Sequence, residues 1–267
     1  MMLSLNFNKF LSELSPVEFV DGIYLKRNDK LSIYNVNGGK SQGACYLIAD
    51  AKSKGFNSVT TVGSRFSPQC NIVSDICENE GITCHLFMSK AKEVGKVIEA
   101  IQKRSRSVLH LIPYGYTSNL IYNAKKFCQQ NDSYFIPFGM KCAENINVIA
   151  RQCRNIPENI KRIVVPIGSG VTFCGVLKGL MDLGRCDIKV VGIYTGADSS
   201  RIFILNNLPF MNEIKYELRF YKPQLTPSKR YEEQLDIKIG DVSLNERYEA
   251  KCFQFLEKDD LFWIVGR

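Results

Sequence analysis

Apolar residues recur along this chain at two alternating periods, and the alternation predicts a layered fold. Short β-rich blocks predict strands at Ile23 to Lys26, Leu31 to Tyr34, Ser58 to Val62, Thr83 to Met88, Val108 to Ile112 and Tyr134 to Pro137. Apolar residues at helical spacing predict helices at Ala44 to Lys54, Cys70 to Asn79, Glu93 to Lys103 and Ser118 to Gln129. After a helix at Cys142 to Arg154 the pattern repeats, with a strand at Arg162 to Pro166, a helix at Thr172 to Leu183 and a strand at Ile188 to Tyr194. Leu208 to Asp236 reads as irregular and polar, and the chain closes with a helix at Tyr248 to Leu256 and a strand at Leu261 to Val265. This alternation is the pattern of parallel sheets joined by crossover helices. The fold class it predicts is α/β, in two unequal lobes, each a mostly parallel sheet with flanking helices. Residues 1–40 and 140–267 form the larger lobe in this reading and 41–139 the smaller, with the site in the cleft between them.

Composition narrows the function classes. A chain of 267 residues, 45% apolar and 23% charged, is ordinary for a soluble globular protein. No run approaches the length of a membrane span, and Met1 to Phe10 lacks the apolar core of a secretory signal, so the expected compartment is the cytoplasm. The ten cysteines are scattered without a C-x-x-C pair and with little histidine, which predicts reduced, buried thiols and no metal site. Cys70 and Cys77 fall on roughly one face of a helix, as core residues do. The formal charge of +8 is the compositional oddity and suits a polyanionic partner. Its tightest cluster, Lys103-Arg104-Ser105-Arg106, reads as a solvated loop.

Three strand-to-helix junctions carry candidate chemistry. In Asn37-Gly38-Gly39-Lys40-Ser41-Gln42-Gly43-Ala44 a lysine sits where a glycine turn runs into a helix. The positive end of the helix disfavours a further cation, which lowers the amine's pKa and favours attack on an aldehyde. A phosphate-binding P-loop needs a glycine where this chain has Tyr34, and a surface lysine after a tight turn is the remaining alternative. In Ile167-Gly168-Ser169-Gly170-Val171-Thr172 backbone amides and two hydroxyls lie between an apolar strand and a helix, as a phosphate site or a tight turn. In Gly63-Ser64-Arg65-Phe66-Ser67-Pro68-Gln69 a hydroxyl and an amide top another strand, where Ser67 is equally a helix N-cap before Pro68.

With these junctions in order, the chain resembles the fold-type II pyridoxal-phosphate enzymes, the tryptophan synthase β-like superfamily, nearest its aminocyclopropane-carboxylate deaminase and D-cysteine desulfhydrase branch. Lys26-Arg27-Asn28-Asp29 followed by Asn37-Gly38-Gly39-Lys40 is similar to that branch's K-R-E-D and G-G-N-K segments. Gly168-Ser169-Gly170-Val171-Thr172 is similar to its G-S-G-G-T phosphate loop, and Arg247-Tyr248-Glu249-Ala250-Lys251 to its D-P-V-Y-x-x-K segment. The resemblance implies pyridoxal 5′-phosphate as cofactor, Lys40 as its Schiff-base lysine, and Gly168, Ser169, Gly170, Val171 and Thr172 as its phosphate site. Where the branch has S-N-H this chain has Ser67-Pro68-Gln69, which leaves Gln69 to supply the amide beside the cofactor's O3′. For the pyridine nitrogen, Trp263 to Arg267 offers no partner and Thr195 is the residue assigned. Lys40, Ser67, Gln69 and Tyr114 complete the catalytic set, Tyr114-Gly115-Tyr116 being able to stack a base or position a small ligand.

The departures from the branch resemble compact relatives found in bacteriophages and linked to thymine hypermodification in DNA. That resemblance implies a lyase-type enzyme that breaks a Cα bond of an amino acid, by decarboxylation, deamination or elimination, the amino acid being one attached to a modified thymine in phage DNA. The partners implied are such an amino acid or nucleotide, DNA, and a second copy in a homodimer, in the host cytoplasm if phage-encoded. Two alternatives stay open: deamination or desulfhydration of a free small amino acid, and a noncatalytic cofactor-binding protein.

Overall fold

The computed structural model describes residues 5–63, 68–90, 96–113, 116–195, 200–207, 213–223 and 232–266. The chain groups into two compact units, Met1–Glu13 with Ser32–Met140, and Leu14–Leu31 with Lys141–Arg267. Residues 1–13 and 32–40 therefore group with the first unit, whereas the sequence pattern put them with the larger lobe.

The first unit contains a four-stranded sheet in the order β7 (Ser107–Ile112), β6 (Thr83–Ser89), β5 (Ser58–Val62), β8 (Tyr134–Ile136), with every pair parallel. The order moves outward from β5 through β6 to β7 and returns beyond β5 with β8, so β5 borders a topological switch point. Two helices cover opposite faces. Thr61 meets α3 (Gln69–Glu80) through Gln69, while His85 and Phe87 meet Phe127 of α5 (Thr117–Asn131). The parity follows from the two-residue strand period, which sends Thr60 toward Ser133 and Thr61 toward Gln69. α1 (Leu5–Ser12), the hairpin of β3 (Ser32–Ile33) and β4 (Val36–Asn37), α2 (Gly39–Ser53) and α4 (Lys96–Gln102) complete this unit.

The second unit is built on a six-stranded sheet in the order β1 (Val17–Val20), β2 (Ile23–Arg27), β14 (Leu261–Ile264), β9 (Arg162–Ile167), β10 (Lys189–Tyr194), β11 (Tyr216–Phe220). Only β1–β2 is antiparallel, and the strand from the end of the chain lies between β2 and β9. Alternate residues feed two cores: Ile163, Val165, Ile167 and Trp263 face α6 (Ala143–Arg151) and α7 (Val171–Asp182), while Val164, Phe262 and Ile264 face the 3-10 turn Glu249–Phe255 with Ala250 and Cys252. Burial on both faces explains the uninterrupted apolar run of β9. α6 and α7 approach closely because Gly175 and Gly179 carry no Cβ; one at Gly175 would stand 2.5 Å from Ile149 and one at Gly179 2.5 Å from the carbonyl oxygen of Ala150. α8 (Ser200–Asn207) and the β12 (Lys238–Ile239) and β13 (Val242–Ser243) hairpin finish the unit.

Several expectations change. Leu208 to Asp236 contains the edge strand β11, whose alternation Tyr216, Leu218, Phe220 is interrupted by charged residues. The helix expected at Tyr248 to Leu256 is a 3-10 helix over Glu249–Phe255. The Lys103–Arg106 cluster is not wholly solvated, since Arg104 donates to the Asn71 side chain at 2.9 Å, to Ser74 Oγ at 2.5 Å and to Asp75 at 3.1 Å. All ten cysteines are free thiols, and Cys70, Cys77 and Cys84 are fully buried. Among the described residues no helix is long and apolar enough to cross a membrane.

Candidate active site

Lys40 is the second residue of α2 and is half-buried. The chain turns into this helix through Gly38 at φ 94° and ψ 165°, a conformation open to glycine, and Ser41 N closes the turn on Gly38 O at 2.9 Å. The next turn is anchored from inside: Gln42 donates its amide to the carbonyls of Phe10 at 2.8 Å and Glu13 at 2.9 Å. The amine thus starts from a fixed backbone at the positive end of a 15-residue helix.

The second junction forms as the sequence implies. β9 ends at Ile167 and α7 starts at Val171, with Gly170 at φ 91°. A Cβ at Gly168 would stand 2.7 Å from the Tyr248 ring, and one at Gly170 2.8 Å from Ile204, so the loop backbone is seated between an aromatic ring and α8. Ser169 and Thr172 are half-exposed, and among the described residues neither hydroxyl makes a hydrogen bond. A loop with this backbone and two unused hydroxyls at a helix N-terminus has the donor set a phosphate requires.

Gln69 and Thr195 lie inside the protein rather than facing outward. Gln69 is fully buried; its NH2 donates to Thr61 Oγ1 at 2.9 Å and Pro137 O at 2.9 Å, and its carbonyl accepts from Gly139 N at 2.8 Å. Both amide protons are used within the first unit, so Gln69 braces the turn after β8 and has no proton left for a ligand. Thr195 is also fully buried and points its N–H and its hydroxyl at Ile167 O, at 3.1 and 3.3 Å, tying the end of β10 to the residue before the phosphate loop. Ser67 and Tyr114 lie outside the described residues, and Tyr116 is 87% exposed.

Sequence reasoning overlooked Glu249. It sits at the start of the 3-10 turn, next to the Tyr248 ring that seats Gly168, and is fully buried. Its Oε1 accepts the amides of Val265 at 2.7 Å and Gly266 at 3.1 Å, while its buried Oε2 has no hydrogen-bond partner among the described residues. Burial pushes its carboxyl up to about 7, opposed by the backbone amides and helped upward by Asp29. The signal available in sequence was its place directly after Tyr248 in the segment matched to the family motif. A buried acid with one oxygen held and one unengaged fits a protonated ring nitrogen, so within the second unit the acid and the phosphate loop fit a pyridoxal phosphate, and the first unit by itself carries in Lys40 the amine that its aldehyde requires.

Comparison with known proteins bears on the family and the fold. The family described as pyridoxal-phosphate dependent enzyme matches residues 10–222. The O-seryl-dTMP PLP-dependent decarboxylase of Salmonella phage ViI is 22% identical, covering 99% of this chain and 85% of that protein. Among solved structures, an ACC deaminase homologue has a TM-score of 0.79 at 20% identity, covering 99% of this chain and 95% of the other. Threonine deaminase isoform 2 from Solanum lycopersicum, in its processed form, has a TM-score of 0.65 at 13% identity, covering 99% and 90%. These structural likenesses establish a shared fold, whereas the family match runs through both Lys40 and the 168–172 loop. This chain therefore belongs to the pyridoxal-phosphate dependent enzymes.

Proposed function

We propose that this enzyme removes the α-carboxylate of a serine carried on a thymine nucleotide. The observation that carries the cofactor chemistry is Glu249, whose Oε2 is buried without a partner beside the loop-seating Tyr248. Support for the substrate comes from the phage relative, whose name assigns it O-seryl-dTMP and decarboxylation.

When bound, pyridoxal phosphate supplies a ring that accepts the electron pair left as a Cα bond breaks. In this reading Lys40 would contribute the amine that holds the cofactor's aldehyde carbon and would then deliver a proton to the substrate Cα in place of the departing CO₂. Ser169, Thr172 and the first amides of α7 bind the phosphate. Glu249 Oε2 would hold the ring nitrogen and keep a proton there, the part the sequence assigned to Thr195. Thr195 instead fixes Ile167 and so the start of the phosphate loop. Gln69 keeps the turn after β8 in place, and Ser67 and Tyr114 keep their expected roles at the substrate. The same reading includes DNA as the polymer bearing the modified base, a homodimer and the host cytoplasm.

The test is to incubate the reconstituted enzyme with O-seryl-dTMP, free and within DNA, and follow loss of CO₂ by mass spectrometry. Release from either form, absent in Lys40→Ala, supports the proposal. Consumption of free D-cysteine or a cyclopropane amino acid alone replaces it with the deaminase or desulfhydrase reading, and cofactor binding with no turnover replaces it with a noncatalytic one. A salt-dependent affinity for duplex DNA separates the polymer from the nucleotide as substrate.

A further inference from the structure

The end of the central sheet in the second unit is split in a way that its apolar strands do not require. β14 pairs with β2 up to Ile264↔Arg27, but with β9 only at Leu261↔Ile163 and Phe262↔Val164. The β9 ladder stops two residues short of Pro166, which has no N–H to donate. Beyond this point the amides of Val265 and Gly266 are not spent on β9. They are the donors that reach Glu249 Oε1, at 2.7 and 3.1 Å, from the strand-end side, while the 3-10 turn carrying Glu249 packs against β9.

We propose that the Val265 and Gly266 amides are positioning groups: they hold one oxygen of Glu249 so that the other is presented to the cofactor, and they set the pH at which the acid ionises. The presentation of the other oxygen to the cofactor rests on the function proposed above. No cation is paired with Glu249 among the described residues. The titratable groups that bear on it are Asp29 from the turn after β2 and Cys252 from its own segment, a thiol that Lys251 also faces. The fixed N–H dipoles of Glu249 itself, Val265 and Gly266 are therefore what offsets burial of the charge, and loss of a strand-end donor raises the affinity for a proton.

Three variants and two states of the full chain test this. Val265→Pro deletes one donor, Val265→Ala removes the same side chain but keeps the N–H, and Glu249→Gln identifies the carboxyl. In the cofactor-free protein, carbon NMR of the glutamate carboxyls should show the Glu249 midpoint moving up by about one pH unit in Val265→Pro and staying in place in Val265→Ala. In the unaltered protein the amide shifts of Val265 and Gly266 should titrate with Glu249 and cease to do so in Glu249→Gln, a readout that survives if the proline variant does not fold. An unmoved midpoint in folded Val265→Pro, or amides that ignore Glu249, overturns the proposal. In the holoenzyme the pH dependence of the visible cofactor band should shift with the same midpoint. If the cofactor-free results hold but that band is indifferent to Glu249→Gln, the amides position Glu249 and its role at the ring nitrogen is wrong.

Discussion

Glu80 of the first unit and Glu249 of the second are both buried, and these two are treated in opposite ways. Glu80 at the end of α3 is met by Lys52 at 3.0 Å and by the Tyr34 hydroxyl, with both members of the ion pair nearly sealed from solvent. Glu249 is buried at least as deeply, yet only its inner oxygen is engaged, and by amides rather than a cation. A buried charge with an opposite charge beside it stabilises an arrangement; a buried acid with half its acceptors unengaged is costly unless a ligand uses it. In the proposed reading the contrast is that of a structural carboxylate, Glu80, with a chemical one, Glu249. Lys26 repeats it among the cations: it is fully buried, bonded to Ser15 O at 2.7 Å and Asn155 Oδ1 at 2.5 Å, and burial pulls its amine down to about 7.

The largest effect that bears on this contrast lies at the amine itself. Lys40→Ala should reduce turnover to background and remove the visible band formed with pyridoxal phosphate, checked by borohydride reduction and peptide mapping. Retained activity would break the whole assignment. Glu249→Gln should lower turnover by about 10²-fold or more while leaving unfolding by urea below pH 4.5, where the acid is protonated folded and unfolded, little changed. Glu80→Gln should do the reverse: it leaves Lys52 buried without its anion, at about 3–5 kcal/mol of stability, read from the urea midpoint, with turnover per folded molecule preserved. If the two variants behaved alike, the contrast would fail.

A pH series sharpens it further. Glu249, raised from 4.5 to about 7 in the folded protein, holds a proton that the unfolded chain has released, so its contribution to stability falls as pH rises through that window. Lys26, lowered from 10.5 to about 7, is deprotonated when the unfolded chain is still charged, so its contribution rises from about pH 7 toward 10.5. Denaturant titrations of the cofactor-free protein across pH should lose the acidic limb in Glu249→Gln and the alkaline limb in Lys26→Met. The smallest effect is expected at the phosphate loop, where Ser169→Ala or Thr172→Ala should weaken cofactor affinity by about tenfold each, measured by equilibrium dialysis.

Much of this molecule is legible in the chain. β5 spans Ser58–Val62 as its β-rich block suggests, and α3, α5 and α7 begin and end within a residue or two of their apolar periods. Lys40 and the 168–172 loop were found because glycine, at Gly38 and Gly170, marks the local backbone that such sites use. β1, α8 and β11 were missed because they are short or lie at the edge, where apolar patterning is diluted.

Local order thus came from the sequence by itself: the alternation of strand and helix, the glycine turns, the lysine at a helix start and the resemblance that named the cofactor. The tertiary structure decided which polar groups are spent and which are not. Gln69 and Thr195 look available in the chain, but distant carbonyls and an amide from other segments consume them. Glu249 looks like one more charge in a polar run, until a strand from the end of the chain supplies its two donors and seals it from water. Hydrogen-bond capacity and desolvation are set by neighbours far apart in sequence, and no local pattern encodes them.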